Sequence, residues 1–195
     1  MSKADKQINH TISDWLGDIV ALESHVEEAM DRQLDLTSND AALTAAIQRF
    51  HDSVRESKHR AETYQQRYGS TAGNPIIKAG SNLLGKAAGM IDKMRHDSVS
   101  KALRDDYTAY NHVAIAYTML HTTAMALDDS ATQRFAEEGM TTYARMVQEL
   151  NHLIPAAVVQ DLRQEEGAQI VNENVVAACR SVIDNVWNST KTHSS

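Results

Sequence analysis

Cysteine, proline and aromatic residues are all scarce in this sequence. The 195 residues include one cysteine, two prolines and 5% aromatic residues. A single cysteine, Cys179, excludes an intramolecular disulfide framework, as is usual for a protein of a reducing compartment. Few prolines and few aromatics are atypical of a turn-rich sandwich or barrel. These absences favour an all-α fold.

Long apolar runs and an excess of positive charge are also missing. The longest clean apolar run, 153–159, contains Pro155 and is far shorter than the roughly 20 residues that span a bilayer. The first 18 residues have no apolar segment of the kind found in a secretion signal, so we expect a cytoplasmic protein. A formal net charge of −7 argues against nucleic acid or an anionic membrane as a partner.

Apolar residues recur every three or four positions through most of the chain, which predicts amphipathic helices. Four long patterns cover about 8–34, 41–68, 98–127 and 131–154, and we expect Pro155 to end the fourth. Polar turns at 37–40 and 128–130 carry N-cap residues. A shorter pattern covers 170–187.

Two helical hairpins joined by a long crossover, over about 69–97, predict a ferritin-like four-helix bundle. The predicted division is a bundle over 1–155 and a C-terminal extension over 156–195, made of one helix and a short disordered tail. The last helix is amphipathic and must cover apolar surface on its own bundle or on a partner. We therefore expect a homo-oligomer, with a dimer favoured.

Nine histidines and 26 acidic residues raise the question of a metal site. A ferritin-like dimetal centre takes a Glu from each of two helices and a Glu-x-x-His pair from each of the other two. The residues at matching spacings are Glu23, Glu56 with His59, Glu149 with His152, and, on the third helix, Asp106 or else His112, which lies off the apolar stripe.

The phase of each helix separates these candidates into two groups. A turn of about 100° per residue places Glu23 and Asp106 on the apolar stripes of their helices, so both are predicted to point inward. The remaining candidates fall off the stripes and are predicted to lie on solvated faces: Glu56, His59, Glu149 and His152.

An inward carboxylate costs several kcal/mol unless it binds a cation, shares a proton or meets hydrogen-bond donors. Two interpretations of Glu23 and Asp106 stay open. One is a residual mononuclear metal site. The other is hydrogen bonding to donors from the neighbouring helices. The donors considered are Tyr107, Tyr110, Tyr117 and His121.

Other single residues are predicted from the same phases. His121 is the one histidine predicted to point inward, and His51 is placed on a polar face. Cys179 lies on the apolar side of the last helix, so we expect a buried thiol.

Three segments, 18–26, 50–57 and 116–117, are similar to one known family. They contain Glu23, the pattern Phe50-x-x-x-Val54-x-Glu56-Ser57, and Ala116-Tyr117. Through them the chain resembles the YciE/YciF-type ferritin-like stress proteins of bacteria over about 15–153. The resemblance implies a ferritin-like bundle, a role in stress and a dimetal centre.

The sequence departs from this family at the other ligand positions. The family carries a His four residues after the helix-two Glu, and Arg60 stands there in this chain. The family's acidic ligands on helices three and four fall on neutral residues: Tyr110 and Val113 (Asn111 and Ala114 in a register shifted by one), Thr142 and Met146. Such an interior offers too little negative charge for two iron ions.

Two functions therefore stay open. The first is a stress-associated protein of binding or structural type, with no cofactor or with a residual metal ion. The second is an iron or manganese dimetal oxidase or peroxide-detoxifying enzyme. Its ligands would be Glu23, Glu56, His59, Glu149 and His152.

Overall fold

A computed structural model of the chain describes residues 3–36, 40–68, 98–165 and 169–191. Within these ranges the chain is all-α. The helices are α1 (Lys3–Leu36), α2 (Ala41–Gln65, followed by a 3₁₀ turn at Gln66–Tyr68), α3 (Val99–Ala126), α4 (Ser130–Gln164) and α5 (Val175–Lys191). The predicted crossover at 69–97 and the end of the chain, 192–195, lie outside the described residues.

Aspartates begin two of the helices, as the polar turns predict. The Asp40 carboxylate accepts from the backbone N–H groups of Ala42 and Leu43 at 2.9 and 3.0 Å. Asp129 caps α4 in the same way through the N–H groups of Ala131 and Thr132. A side chain that satisfies the first backbone donors fixes where a helix starts.

The turn between α3 and α4 is short because the residues that follow α3 bond back to carbonyl groups of its last turn. Asp128 has φ of 56°, in the left-handed region that Asp tolerates better than most residues. The N–H of Asp129 bonds to the carbonyl of Ala124 at 2.9 Å, and that of Asp128 to the carbonyl of Met125 at 3.2 Å. This Schellman motif lets Asp129 start the next helix at once.

Contacts between side chains give the direction of each helix. The pairs that define it are Asp31–His51 and Glu27–Lys58 for α1 and α2, Met30–Tyr110 and Glu23–Tyr117 for α1 and α3, Tyr64–Thr132 and Arg60–Glu138 for α2 and α4, and Ser98–Asp161 and Thr118–Met140 for α3 and α4. In each pair of helices, one residue number rises as the other falls. Hence α1 and α4 run one way, and α2 and α3 run the other way.

One hydrophobic core is shared by α1, α2, α3 and α4. Its largest buried members include Leu16, Phe50, Leu103 and Tyr143. Each such side chain stabilises the fold by about 1.5–3 kcal/mol relative to an exposed position. No described residue of α5 belongs to this core. None of the described helices is both long and apolar enough to cross a membrane.

The prediction that Pro155 ends the fourth helix is wrong. Helix α4 continues through Pro155 to Gln164, so the predicted boundary after residue 155 falls inside a helix. A proline inside a helix removes one N–H donor and disturbs the carbonyls one turn earlier. Here the carbonyl of His152 accepts from Nε of Arg180 at 2.8 Å, and Pro155 itself is buried. Packing beyond the proline, including buried Ala157, compensates for the interruption.

Predictions for the C-terminal helix were also partly wrong. It begins at Val175 and continues to Lys191, past the predicted end at residue 187. Cys179 is exposed, not buried. Among the described elements α5 packs on α4, so much of its apolar side has no cover, and Trp187 is 44% exposed.

Two histidines differ from their predicted positions. His51 is buried, and its Nε2 lies 2.8 Å from Oδ1 of Asp31 across the α1–α2 contact. His121 is only half-buried. Whether a side chain at the edge of an apolar stripe is buried depends on its neighbour on the next helix. The helical phase gives no information about that neighbour.

Candidate functional site

The centre of the structure contains a buried carboxylate, Glu23 of α1. Its side chain is fully buried, with exposure of 0%. The phase of α1 places it on the same face as Ile19 and Val26, which are also buried. The predicted inward position of Glu23 is confirmed.

One oxygen of this carboxylate accepts three hydrogen bonds, one from each of the other core helices. Oε1 of Glu23 accepts from Ser57 Oγ of α2 at 2.7 Å. It also accepts from Tyr117 OH of α3 and from Tyr143 OH of α4, each at 3.0 Å. We call Glu23, Ser57, Tyr117 and Tyr143 the carboxylate cluster. The cluster ties four helices together at one atom, and these hydrogen bonds are strongest when the carboxylate is ionised.

Each donor is positioned by the apolar stripe of its own helix. Ser57 follows buried Val54 by three residues, and Tyr143 precedes buried Met146 by three. Residues three or four apart share a helix face. Their hydroxyl groups are therefore carried into the core by the same periodicity that buries their apolar neighbours.

A glycine makes room for Tyr117. A Cβ atom on Gly139 of α4 would lie 2.4 Å from Cδ1 and Cε1 of the Tyr117 ring, well inside van der Waals contact. The ring also lies against Tyr143, with centroids 6.1 Å apart and planes 28° apart. The absence of a side chain at Gly139 thus lets Tyr117 reach between α1 and α4 to Glu23.

Burial dominates the electrostatics of Glu23. It raises the pKa of the carboxyl group from 4.5 to about 7, and the hydrogen bonds from Ser57, Tyr143 and Tyr117 only partly oppose it. Oε2 has no hydrogen-bond partner among the described residues. Burial and the charge of Glu23 raise the pKa values of both tyrosines, so the phenols remain donors at neutral pH.

Arg60 is a cation that acts on this cluster. Its positive charge lowers the pKa of both Glu23 and Tyr117. Nη1 of Arg60 lies 3.8 Å from Oε2 of Glu138 at the surface, whereas its Nε is buried. The guanidinium group thus extends from the cluster to solvent and supplies a fixed positive charge beside the carboxylate.

The second inward acid, Asp106, forms a separate pair. It is 2% exposed, and its Oδ1 accepts from Nε2 of Gln33 at 2.7 Å. Burial raises its pKa from 3.8 to about 7. Gln33 lies ten residues after Glu23 on α1, which corresponds to about 15 Å along the helix axis. Glu23 and Asp106 are therefore too far apart to share an ion.

The other candidate ligands lie on the outside. Glu56 and Glu149 are exposed. His59 is exposed beside Glu62, at 3.9 Å, and Nε2 of His152 lies 2.8 Å from Oδ1 of Asp184 on α5. The structure does not bring these four side chains to Glu23 or to each other.

A dimetal centre does not fit these residues. Iron or manganese requires several carboxylate or imidazole ligands around each ion, and the cluster offers one carboxylate, three hydroxyl groups and an adjacent guanidinium. Across the described ranges, no group of three or more His, Cys, Asp or Glu side chains is arranged to hold a metal ion.

Most partners of the two acids were missed by the sequence analysis. Of the four donors considered there, Tyr117 alone bonds to Glu23, and Tyr110 OH instead contacts Sδ of Met30 at 3.2 Å. Ser57, Tyr143 and Gln33 were not considered. A usable signal was present, because each lies at a buried phase of its helix and a buried carboxylate requires donors.

Comparison with known proteins gives one match. A family model described as a domain of unknown function (DUF892) matches residues 8–163. The matched region contains the whole carboxylate cluster and ends just before the C-terminus of α4. No curated protein and no solved structure matches the chain.

Proposed function

The chain belongs to the family described as a domain of unknown function (DUF892), and from that membership and the cluster geometry we propose a ferritin-like protein of binding or structural type. In this proposal the interior that would hold a dimetal centre in a ferritin-like enzyme is closed by the carboxylate cluster. The chain then acts through its surfaces and not through redox chemistry.

The directions of the helices support the ferritin-like part of this proposal. Helices α1 and α2 are antiparallel, as are α3 and α4, while α2 and α3 run the same way. Two helices that run the same way need a long connection between them, which is the topology of ferritin-like bundles. The connection here has 29 residues, between Tyr68 and Ser98.

One observation supports the functional part of the proposal: side chains of three helices donate hydrogen bonds to the same oxygen of Glu23. An oxygen that already accepts three hydrogen bonds is a poor metal ligand. The charge of Arg60 acts on the same carboxylate, and a fixed cation disfavours a second one nearby. Both features disfavour a cation at Oε1, and Oε2 is left as the single oxygen of Glu23 without a hydrogen-bond partner among the described residues.

The alternative is an iron or manganese dimetal oxidase or peroxide-detoxifying enzyme. It requires Glu56, His59, Glu149 and His152 to converge on Glu23. Helices α2 and α4 would have to rotate by well over a quarter turn. That rotation would expose Phe50 and Leu150, which are 2% and 0% exposed. Burial of these side chains opposes the rotation by several kcal/mol.

The cellular setting follows from the resemblance and from composition, and is part of the proposal. We place the protein in the cytoplasm, in a stress-associated role, as a homodimer. Exposed apolar residues on α5, including Val182 and Val186 at 59% and 55%, support an interface between copies. The net charge of −7 argues against nucleic acid and anionic membranes as partners.

Metal content is the direct test. The chain is produced in cells supplied with iron and manganese, purified without chelators, and examined by elemental analysis. We expect far less than one transition-metal ion per chain, because the cluster supplies only one anionic ligand. About two ions per chain would overturn the proposal and establish the dimetal alternative.

Variants locate any metal that is found. Glu23→Ala removes the buried carboxylate, and Glu56→Ala removes an exposed one from the adjacent helix. Under the proposal, neither substitution changes the metal content. A metal lost in both variants would mean that α2 turns inward, as the enzyme requires.

A further inference from the structure

A concave site that contains no residue of the carboxylate cluster lies between the last turns of α4, the segment that leads into α5, and α5 itself. It is an open cavity of about 450 Å³. Pro155, Val158 and Leu162 line it from α4, and Val175, Cys179 and Ile183 line it from α5. The family match ends at residue 163, so half of this cavity is built from sequence outside the family region.

The lining of this cavity defines the chemistry of its occupant. Among the described residues that line it, none is charged. Its polar side chains are three amides, from Asn151, Gln169 and Asn172, of which the last two are exposed at the mouth. Small-molecule sites are typically apolar cavities of roughly 300–1,000 Å³ with a few polar groups that orient the ligand.

We propose that this cavity binds a neutral, mostly apolar small molecule with one hydroxyl or carbonyl end. The apolar body would occupy the space between Pro155 and Ile183, where water makes few hydrogen bonds. The polar end would meet the amides at the mouth. No side chain that lines the cavity carries a charge to pair with a carboxylate or ammonium group, so the desolvation of such a group would not be repaid.

The position of α5 supports this assignment. Helix α5 is held to α4 by polar contacts beside the cavity, from Arg180 to the carbonyl of His152 and from Asp184 to the His152 ring. These contacts hold the two helices together on one side of the gap. The apolar residues of α4 and α5 face each other across the cavity and do not fill it. A bound ligand would contact both helices.

Fluorescence of phenylnaphthylamine, a neutral apolar dye, measures binding to the whole chain. We expect saturable enhancement at one dye per chain, with displacement by dodecanol and much weaker displacement by laurate at pH 8. No saturable enhancement would overturn the proposal. Equal displacement by laurate would overturn its restriction to neutral ligands.

Two matched substitutions place the dye. Val175→Trp fills the cavity, whereas Val176→Trp adds the same ring to the adjacent, equally half-buried residue that does not line it. We expect the first variant to lose dye binding and the second to retain it, with both keeping wild-type helicity by circular dichroism. Equal binding by both variants would contradict the assigned location.

The single cysteine gives an independent readout. Cys179 is exposed and lines the cavity, so a bound ligand shields it. Dodecanol at ten times its dissociation constant should slow alkylation of the thiol about tenfold, since about one-tenth of the sites remain free. The double variant Cys179→Ser/Ala177→Cys carries its thiol on an exposed, non-lining residue, and its alkylation rate should not change.

Self-association distinguishes a small ligand from a second copy of the chain. Light scattering after size exclusion is measured at the protein concentrations used for dye binding. The proposal requires that the dye stoichiometry stay constant as protein concentration rises. A fall in dye binding that follows dimer formation would show that a second copy occupies the cavity, and would overturn it.

Discussion

At the scale of single residues, the two oxygens of the Glu23 carboxylate are stabilised unequally. One oxygen accepts three hydrogen bonds, and the other has no partner among the described residues. Leaving one acceptor of a buried carboxylate unsatisfied destabilises the ionised form. The protonated form is favoured for the same reason, which agrees with a pKa raised to about 7. Asp106 shows the same pattern with one donor, Gln33.

These two acids predict a dependence of stability on pH. Because the pKa of Glu23 is higher in the folded chain than its ordinary value of 4.5, the folded state binds this proton more tightly. Its contribution is fully present below about pH 4.5 and is lost as the pH rises through about 7. Asp106 acts in the same direction.

Replacing Glu23 by Gln tests this prediction. Gln keeps an acceptor oxygen for Ser57 and the tyrosines but cannot ionise. We expect Glu23→Gln to gain stability relative to the wild type between pH 5 and pH 8, by up to about 3 kcal/mol, measured by urea unfolding across that range. Glu56→Gln, on the exposed face of α2, should leave the profile unchanged. A constant difference between Glu23→Gln and the wild type at every pH would contradict the raised pKa.

At the scale of helices, α3 and α4 approach each other through Gly139. Ordinarily, Gly in a helix interior is less stable than Ala by about 1 kcal/mol. At this position the added methyl group would overlap the buried ring of Tyr117. The ring also packs against Tyr143 and is bonded to Glu23, so it cannot move without loss of contacts. Packing therefore reverses the intrinsic preference.

Gly139→Ala is expected to destabilise the fold by about 1–3 kcal/mol, the usual range for overpacking a core. Gly17→Ala is the matched control, because its added Cβ would meet only Nε2 at the end of the Gln65 side chain, at 3.2 Å. That amide can shift, so the control should be neutral or slightly stabilising. Thermal unfolding of both variants gives the comparison, and a Gly139→Ala protein at least as stable as the control would disprove the packing argument.

The extension of α4 beyond Pro155 also joins two helices. Asp161 accepts hydrogen bonds from Ser98 and from the backbone N–H groups of Val99 and Ser100, and so caps the first turn of α3 from another helix. Burial raises the pKa of Asp161, but these hydrogen bonds outweigh it and lower the pKa overall. Had α4 ended at Pro155, the first N–H groups of α3 would lack this acceptor.

At the scale of the whole molecule, α1–α4 form one unit and α5 is attached to it. The core residues come from α1–α4, and the family match covers nearly the same part of the chain, residues 8–163. Polar contacts around His152 hold α5 in place. Local opening of an element with few buried contacts has a low free energy.

A chain ending at residue 165 should therefore keep the fold of α1–α4. We expect cooperative unfolding with a loss of no more than about 2 kcal/mol, the scale of a few exposed or half-buried polar contacts. Circular dichroism and thermal unfolding measure this, with a chain ending at Lys191 as the control for a shortened terminus. Loss of the cooperative transition would show that α5 is part of the folding unit.

The sequence alone determined the features that depend on neighbours along the chain. Apolar spacing predicted the long helices, the polar turns at 37–40 and 128–130 predicted two helix starts, and the phase of α1 predicted that Glu23 points inward. Helical periodicity and capping are local, so the sequence contains them. The phase of α3 predicted the same for Asp106.

Only the tertiary structure determined which residue of another helix each side chain contacts. Three helices bring the hydroxyl groups of Ser57, Tyr117 and Tyr143 within hydrogen-bond distance of one oxygen of Glu23. The spacing of residues along the chain does not predict this convergence. Helix α4 passes through Pro155 because packing beyond the proline, including buried Ala157, compensates for the interruption. Cys179 is exposed because no described residue of α5 joins the core, so a helix with an apolar side remains at the surface. In each case the deciding energy comes from residues distant in sequence, which meet only after the helices have packed.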